Sequence, residues 1–339
     1  MNQIIHHRHY ANVARDKSTQ KQSKKRENMT KHIVLLLIYF STIALANDKV
    51  LNAEAMPNFK NALYLDVATN KTLVVAVGER GHVAISQDYG ATWQQSKTVP
   101  TRITLTAVSI VGNNIWAVGH DTIIIHSADA GKTWKIQFED KQRQMPLLDV
   151  LFVNESDGYA VGAYGTYLTT HDGGKNWKDS LIIEDQDFHL NKIIKIDEYK
   201  MFVVGEAGNA YRSFDAGNTW ENIELPYPGS MFGVTYYQAE IVAYGLRGNV
   251  LVSGDFGETF TQIDSPIQDS LFGAGQTKRG MLLLVGANGA VLRYQNRKLS
   301  QIDIPDSKSD GDYTQLVSIK GNKLIFVGEN GINKKQLGK

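Results

Sequence analysis

A glycine preceded by an apolar or aromatic residue returns at Gly78, Gly119, Gly162, Gly205, Gly245, Gly286 and Gly328, at intervals of 40 to 43 residues. A period of that length means that one supersecondary unit is copied along the chain, each copy burying its apolar surface against the next. Each unit opens with two short runs rich in Val, Ile, Leu and Tyr, such as Leu63 to Val67 and Leu73 to Val77, separated by polar residues including Asn70 and Lys71. Those are strand lengths and strand residues. A Gly-x-x-Gly step (Gly78 to Gly81, Gly162 to Gly165, Gly205 to Gly208, Gly245 to Gly248, Gly286 to Gly289, Gly328 to Gly331) then leads into a third strand; the second unit alone has Thr122 at the second glycine.

The third strand runs into S/T-x-D-x-G-x-T-W. The copies are Ser86 to Trp93, Ser127 to Trp134, Thr170 to Trp177 with Asn176 for Thr, Ser213 to Trp220, and Ser253 to Phe260 with Phe for Trp. The pattern is that of a tight hairpin. Asp88, Asp129, Asp172, Asp215 and Asp255 can accept backbone N–H bonds across the turn, and Gly90, Gly131, Gly174, Gly217 and Gly257 can take positive φ. Trp93, Trp134, Trp177, Trp220 and Phe260 then start a fourth strand and pack between sheets. Four short strands in each of seven units predict an all-β, seven-bladed propeller of four-stranded antiparallel blades. Length alone, 339 residues, would have suggested two domains.

The hairpin motif is the Asp box, or BNR repeat. Combined with V-G-x-x-G over about residues 57 to 335, it resembles the photosystem II stability/assembly factor family and its bacterial relatives. The resemblance implies a non-catalytic scaffold that binds a protein partner, helping a membrane protein complex assemble or remain stable. Asp boxes also occur in sialidases, some glucanases and sorting receptors, so a carbohydrate-binding propeller or a degenerate sialidase-like hydrolase stands as the alternative.

The charge of the chain is divided. Residues 1–46 carry eight Lys/Arg and two Asp/Glu, which leaves 28 against 33 in residues 47–339, a net of −5. The basic excess therefore lies outside the repeat, and nucleic-acid binding is not expected. The apolar run Ile33 to Phe40, preceded by Lys31 and followed by an A-x-A site at Ala44-Leu45-Ala46, has the pattern of a cleavable signal peptide over residues 29–46. It is too short to span a membrane. Residues 1–28 are either an extended leader or lie before the true start at Met29. The expected product is an exported protein, periplasmic or lumenal, folded as a monomer from residue 47 onward.

The sixth unit ends its third strand in Gln295-Asn296-Arg297-Lys298, without Asp-box chemistry, and the seventh has residues for a third strand only. Ring closure would then require Val50 to Phe59 to supply the outer strand of the last blade. With no cysteine in the chain, no disulfide can substitute.

Loops joining strands 2 to 3, and blade to blade, share the face opposite the Asp boxes. The positions between the paired glycines vary there while the backbone repeats, as on a rigid binding scaffold. Arg80, His120, Tyr164, Glu206, Arg247, Asn288 and Glu329 are the candidate partner contacts, with Phe188 and Tyr227 from interblade loops as aromatic anchors. Ordinary solvated turns are the other reading of these positions. Phe232 and Phe272 are either further anchors or core residues that start inner strands. The Asp boxes are read as structural, a calcium site being the alternative.

No catalytic residue, metal or cofactor is expected, nor a small-molecule substrate. A sialidase needs an arginine triad with a Tyr/Glu nucleophile pair, and the Arg102 context lacks the proline of the sialidase start. The histidines of the repeat region, His82, His120, His126, His171 and His189, lack metal-site spacing. Of these, His82 and His171 sit beside turns and are expected to be solvated.

Overall fold

The second strand of every unit is apolar without alternation, as in Leu73–Gly78, Met201–Gly205 and Leu282–Gly286, and these three strands are buried at every position. Continuous burial requires cover on both faces of the sheet. Packing each sheet between two others of its kind provides it. The computed structural model describes residues 51–184, 187–304 and 311–336, and in them the chain forms seven antiparallel sheets in sequence order. The innermost strands are Tyr64–Asn70, Leu105–Val111, Leu147–Phe152, Leu190–Lys195, Met231–Tyr237, Leu271–Gln276 and Tyr313–Ile319, and they define blades 1 to 7. Each blade is a plain meander from the axis outward.

The Asp boxes are the predicted hairpins. In blade 2, Asp129 Oδ1 accepts the Ser127 hydroxyl at 2.8 Å and the Thr133 amide at 2.9 Å, while Oδ2 accepts the Thr133 hydroxyl at 2.6 Å. Ser127 Oγ in turn accepts the Gly131 amide at 2.8 Å. These bonds hold the carboxylates ionised: the threonine hydroxyl and amide bring Asp129 to about 2, and the matching Asn176 and Thr259 groups do the same for Asp172 and Asp255. Gly131 sits at φ +85°, and a Cβ there would collide with Ile85 of blade 1. Blade contact and turn geometry thus both exclude a side chain. Trp134 belongs to a cluster with Val75, Val77 and Val83 of blade 1, so the box aromatic seals the seam to the preceding blade.

Blade 7 has three strands among the described residues: Tyr313–Ile319, Lys323–Gly328 and Gly331–Gln336. The expected closing strand does not form within residues 51–59. Instead Ala53 N donates to Val99 O at 2.9 Å and Met56 N to Gln95 Oε1 at 2.8 Å, both on the blade 1 side, and Phe59–Asn61 makes one 3-10 turn. The segment Leu51-Asn-Ala-Glu-Ala-Met-Pro57 is poor in β-branched residues and ends on a proline, which explains why it does not extend a sheet. Among the described residues, blades 7 and 1 are joined by packing. Ile319, Ile325 and Val327 of blade 7 share one core with Tyr64, Val67, Val74, Ala76 and Ala84 of blade 1, and the Thr314 hydroxyl donates to Tyr64 O at 2.9 Å. Residues 1–50, with the leader expectations, lie outside the described residues.

Candidate partner-binding face

Every inner strand carries a β-bulge at its second residue, since in each blade the register with the second strand slips there by one position. The seven bulged residues are Leu65, Thr106, Leu148, Asn191, Phe232, Phe272 and Thr314. A bulge re-aims the side chain it releases from the ladder, and all seven line one cavity of about 210 Å³ at the central channel. It lies at the strand ends that face the Gly-x-x-Gly turns. The polar bulge residues tie neighbouring blades: Thr106 Oγ1 donates to Leu147 O at 2.6 Å and Asn191 Nδ2 to Met231 O at 2.9 Å. Phe232 and Phe272 instead face one another, ring centroids 5.6 Å apart. They are half-buried, so the channel mouth carries an aromatic edge.

Below this edge Lys192 Nζ lies 2.8 Å from Asp149 Oδ1, and Asp149 Oδ2 accepts the Ile193 amide at 3.0 Å. Asp66 repeats the amide contact two seams earlier in the ring, with Oδ2 accepting the Val108 amide at 2.9 Å. Burial raises the Asp149 carboxyl, opposed by the ammonium. Burial also lowers Lys192, but Asp149 and Asp66 outweigh it and keep the amine above its usual range. An ammonium and a backbone amide both donating to one carboxylate fit an ionised pair.

The predicted contacts on this face divide into exposed and committed groups. In the Gly-x-x-Gly turns the residue before the second glycine is left-handed, as at Arg80, Tyr164, Arg247 and Asn288, with φ from 53° to 56°. Tyr164 is 57% exposed and stands edge-on to His189 at 5.0 Å. His189 Nδ1 lies 3.2 Å from Glu206 Oε2, so Tyr164, His189 and Glu206 form one cluster across blades 3 and 4. Arg80 is exposed beside Glu79 at 3.9 Å. His120 is exposed, and the Arg247 amide donates to Ser270 Oγ at 3.3 Å.

The acidic positions turn back into the fold. Glu206 Oε1 accepts the His189 amide at 2.9 Å, Glu79 Oε1 the Leu63 amide at 3.2 Å, and Glu329 Oε2 the Asp312 amide at 3.4 Å, each capping the chain just before an inner strand. Asn288 Nδ2 donates to Asp269 Oδ1 at 2.7 Å. Phe188 and Tyr227 are half-buried, the Tyr227 hydroxyl reaching Leu246 O at 3.5 Å.

One of the two histidine expectations changes. His82 is not solvated: it is fully buried, and neither ring nitrogen has a hydrogen-bond partner. His171, which is exposed, pairs with Asp157 at 2.8 Å. Sequence reasoning missed the bulge ring and the Asp149–Lys192 pair. The seven bulge residues recur with the repeat, each just after the first residue of an inner strand, but their residue types differ and no motif marks them.

The family model for the photosynthesis system II assembly factor YCF48 matches residues 48–146 and again 136–236, more than half of the chain. The chain belongs to the YCF48 family. A structure of YCF48 bound to D1 peptide superposes with a TM-score of 0.69 at 18% identity, covering 85% of this chain and 98% of that one. YCF48 from Cyanidioschyzon merolae gives 0.67 at 16% identity, covering 83% and 97%. The WD40 propeller domain of Doa1 gives 0.64 at 12%, covering 86% and 97%, so the architecture extends beyond the YCF48 family. No curated protein matches the sequence.

Proposed function

We propose that this YCF48-family chain is an exported, non-catalytic propeller that holds a segment of a membrane protein subunit against its channel mouth, and so assists the assembly or stability of that subunit's complex. The observation that carries the reading is the convergence of seven bulges on one mouth, with Phe232 and Phe272 5.6 Å apart at its rim. A rigid concavity with an aromatic edge and flanking polar turns suits a peptide segment. The structure of a relative bound to D1 peptide supports the same reading. Export rests on the leader pattern ending at Ala46.

The arginines support a non-catalytic role. Arg102, Arg143, Arg212 and Arg297 are paired with Glu54, Asp179, Glu221 and Glu240 respectively. Those four guanidinium groups are committed to carboxylates of the chain itself. Photocrosslinkers placed at Phe272 and at Tyr164 in intact source cells test the proposal, with Tyr199 on the Asp-box side as reference. Adducts with a membrane protein subunit from the first two positions are expected. Adducts from Tyr199 alone, or with glycans alone, would overturn it.

A further inference from the structure

The residue after each bulge is the first to rejoin the ladder, and these residues make one layer beneath the channel mouth. The layer has Asp66 in blade 1, Asp149 in blade 3, Lys192 in blade 4 and Gln315 in blade 7, with Ala or Gly in the other three blades. It therefore sets two carboxylates against one ammonium. Lys195, the remaining charged residue of the inner strands, ends its strand at the other side of the ring. The three charges of the layer act on one another: Lys192 is paired with Asp149 at 2.8 Å, and the negative charge of Asp66 bears on both partners.

Asp66 and Lys192 line the cavity of about 210 Å³ at the mouth. Asp66 Oδ1 accepts the Val67 amide at 2.8 Å and Oδ2 the Val108 amide at 2.9 Å. A carboxylate offers about four acceptor positions, so two amides leave capacity for another donor. The rim points to the same charge as the floor. Phe232 and Phe272, half-buried with centroids 5.6 Å apart, present ring faces of the kind that attract a cation. Leu65 and Leu148 supply apolar walls for a long methylene stem. The volume equals about seven waters of liquid, which suits one side chain rather than a stretch of main chain.

We infer that the segment held at the channel mouth inserts a lysine or arginine side chain past Phe232 and Phe272, its cation directed at the carboxylates of Asp66 and Asp149. The inference rests on the proposed function and names the chemistry by which that site selects its partner. Charge complementarity in a recessed site discriminates among segments that would otherwise fit the rim equally well.

The test is a fluorine NMR titration of the full chain carrying para-fluorophenylalanine in place of Phe272, with three blocked tripeptides at millimolar concentration: acetyl-Ala-Arg-Ala-amide and its Gln and Glu counterparts. The arginine peptide should shift the signal with an affinity about fivefold or more above that of the glutamine peptide, and the glutamate peptide should bind most weakly. Leu65→Lys and Leu148→Lys each place an ammonium in the mouth at a bulge position outside the ladder. Either change, or Asp66→Asn, should bring the arginine and glutamine peptides within about twofold of each other at an unchanged melting temperature. Where Asp66→Asn loses stability, the two lysine variants decide. Equal affinity for the arginine and glutamine peptides, tighter binding of the glutamate peptide, or an arginine preference that survives in the folded variants overturns the basic side chain and leaves the proposed function standing. No shift from any peptide also overturns the inference, while crosslinks from Phe272 in cells decide the proposed function independently.

Discussion

Lys192 Nζ and Asp149 Oδ1, from neighbouring inner strands, meet at 2.8 Å beneath the aromatic rim of the channel. The carboxylate is almost wholly buried, and the ammonium is one-quarter exposed. Removing one partner leaves the other charge without compensation in a poorly solvated place. Lys192→Met should therefore cost about 3–5 kcal/mol of unfolding free energy, and Lys192→Met with Asp149→Leu markedly less than the sum of the two single changes. Urea titration of the four proteins in the cycle measures the coupling. Additive losses would mean that the pair is not ionised in the folded chain.

Two glycines with similar backbone angles should respond differently to alanine. Gly131 at φ +85° would drive a Cβ into Ile85, whereas Gly280 at φ +77° has open space around it. Gly280→Ala should cost roughly 1 kcal/mol from the left-handed backbone alone. Gly131→Ala should cost about 1–3 kcal/mol more, because the seam between blades 1 and 2 must also part. Thermal or urea unfolding of both variants checks the difference.

His82 makes stability depend on pH. Burial lowers its pKa, with Glu79 and Glu54 opposing that effect and Arg80 adding to it. A histidine whose folded pKa lies below its unfolded value near 6.5 favours the folded state fully above that pH, and the advantage is lost as pH falls through the folded value. The melting temperature should thus drop between about pH 7 and pH 5, and His82→Gln should flatten the slope in that window. An unchanged slope in the variant would assign the acid sensitivity to other groups.

The Asp boxes contribute a separate acid limb. Asp129, Asp172 and Asp255 are held at about 2, so their stabilisation is complete above the usual carboxylate range and disappears as pH falls toward about 2. Asp129→Asn should lower the melting temperature at neutral pH and reduce the fall between about pH 4 and pH 2. Circular dichroism across that range reads both effects.

Most of the ring was legible in the sequence because each unit repeats its constraints. Gly78 recurs because a Cβ would collide with the Leu63 carbonyl, and the residues at Gly119, Gly162, Gly205, Gly245, Gly286 and Gly328 face the same carbonyl in their own blades. The Asp boxes were legible for the same reason, since Asp129, Gly131 and Thr133 satisfy one another locally. Closure was not, because it depends on residues far apart in sequence. The segment from Ala53 to Met56 bonds to Val99 and Gln95 of blade 1, and Lys334 reaches Gly90. The channel mouth was partly hidden because a bulge changes where a side chain points without changing its residue type. Thr106, Asn191, Phe232 and Thr314 have little in common except their place in the ladder. His82 beside a turn reads as solvent-facing until the chain at Glu54 is known to lie near it.

The central claim is that the channel mouth holds a segment of a membrane protein subunit. Phe232→Ala with Phe272→Ala removes the aromatic rim at two bulge positions that take no part in the backbone ladder, and the fold of the double variant can be verified by melting temperature. The decisive quantity is the yield of membrane-subunit adduct from a photocrosslinker at Tyr164 in intact cells, compared between the parent protein and this double variant. A fall of about tenfold or more, as for the loss of interface hot spots, is the predicted result. An unchanged yield from a folded double variant would contradict the account.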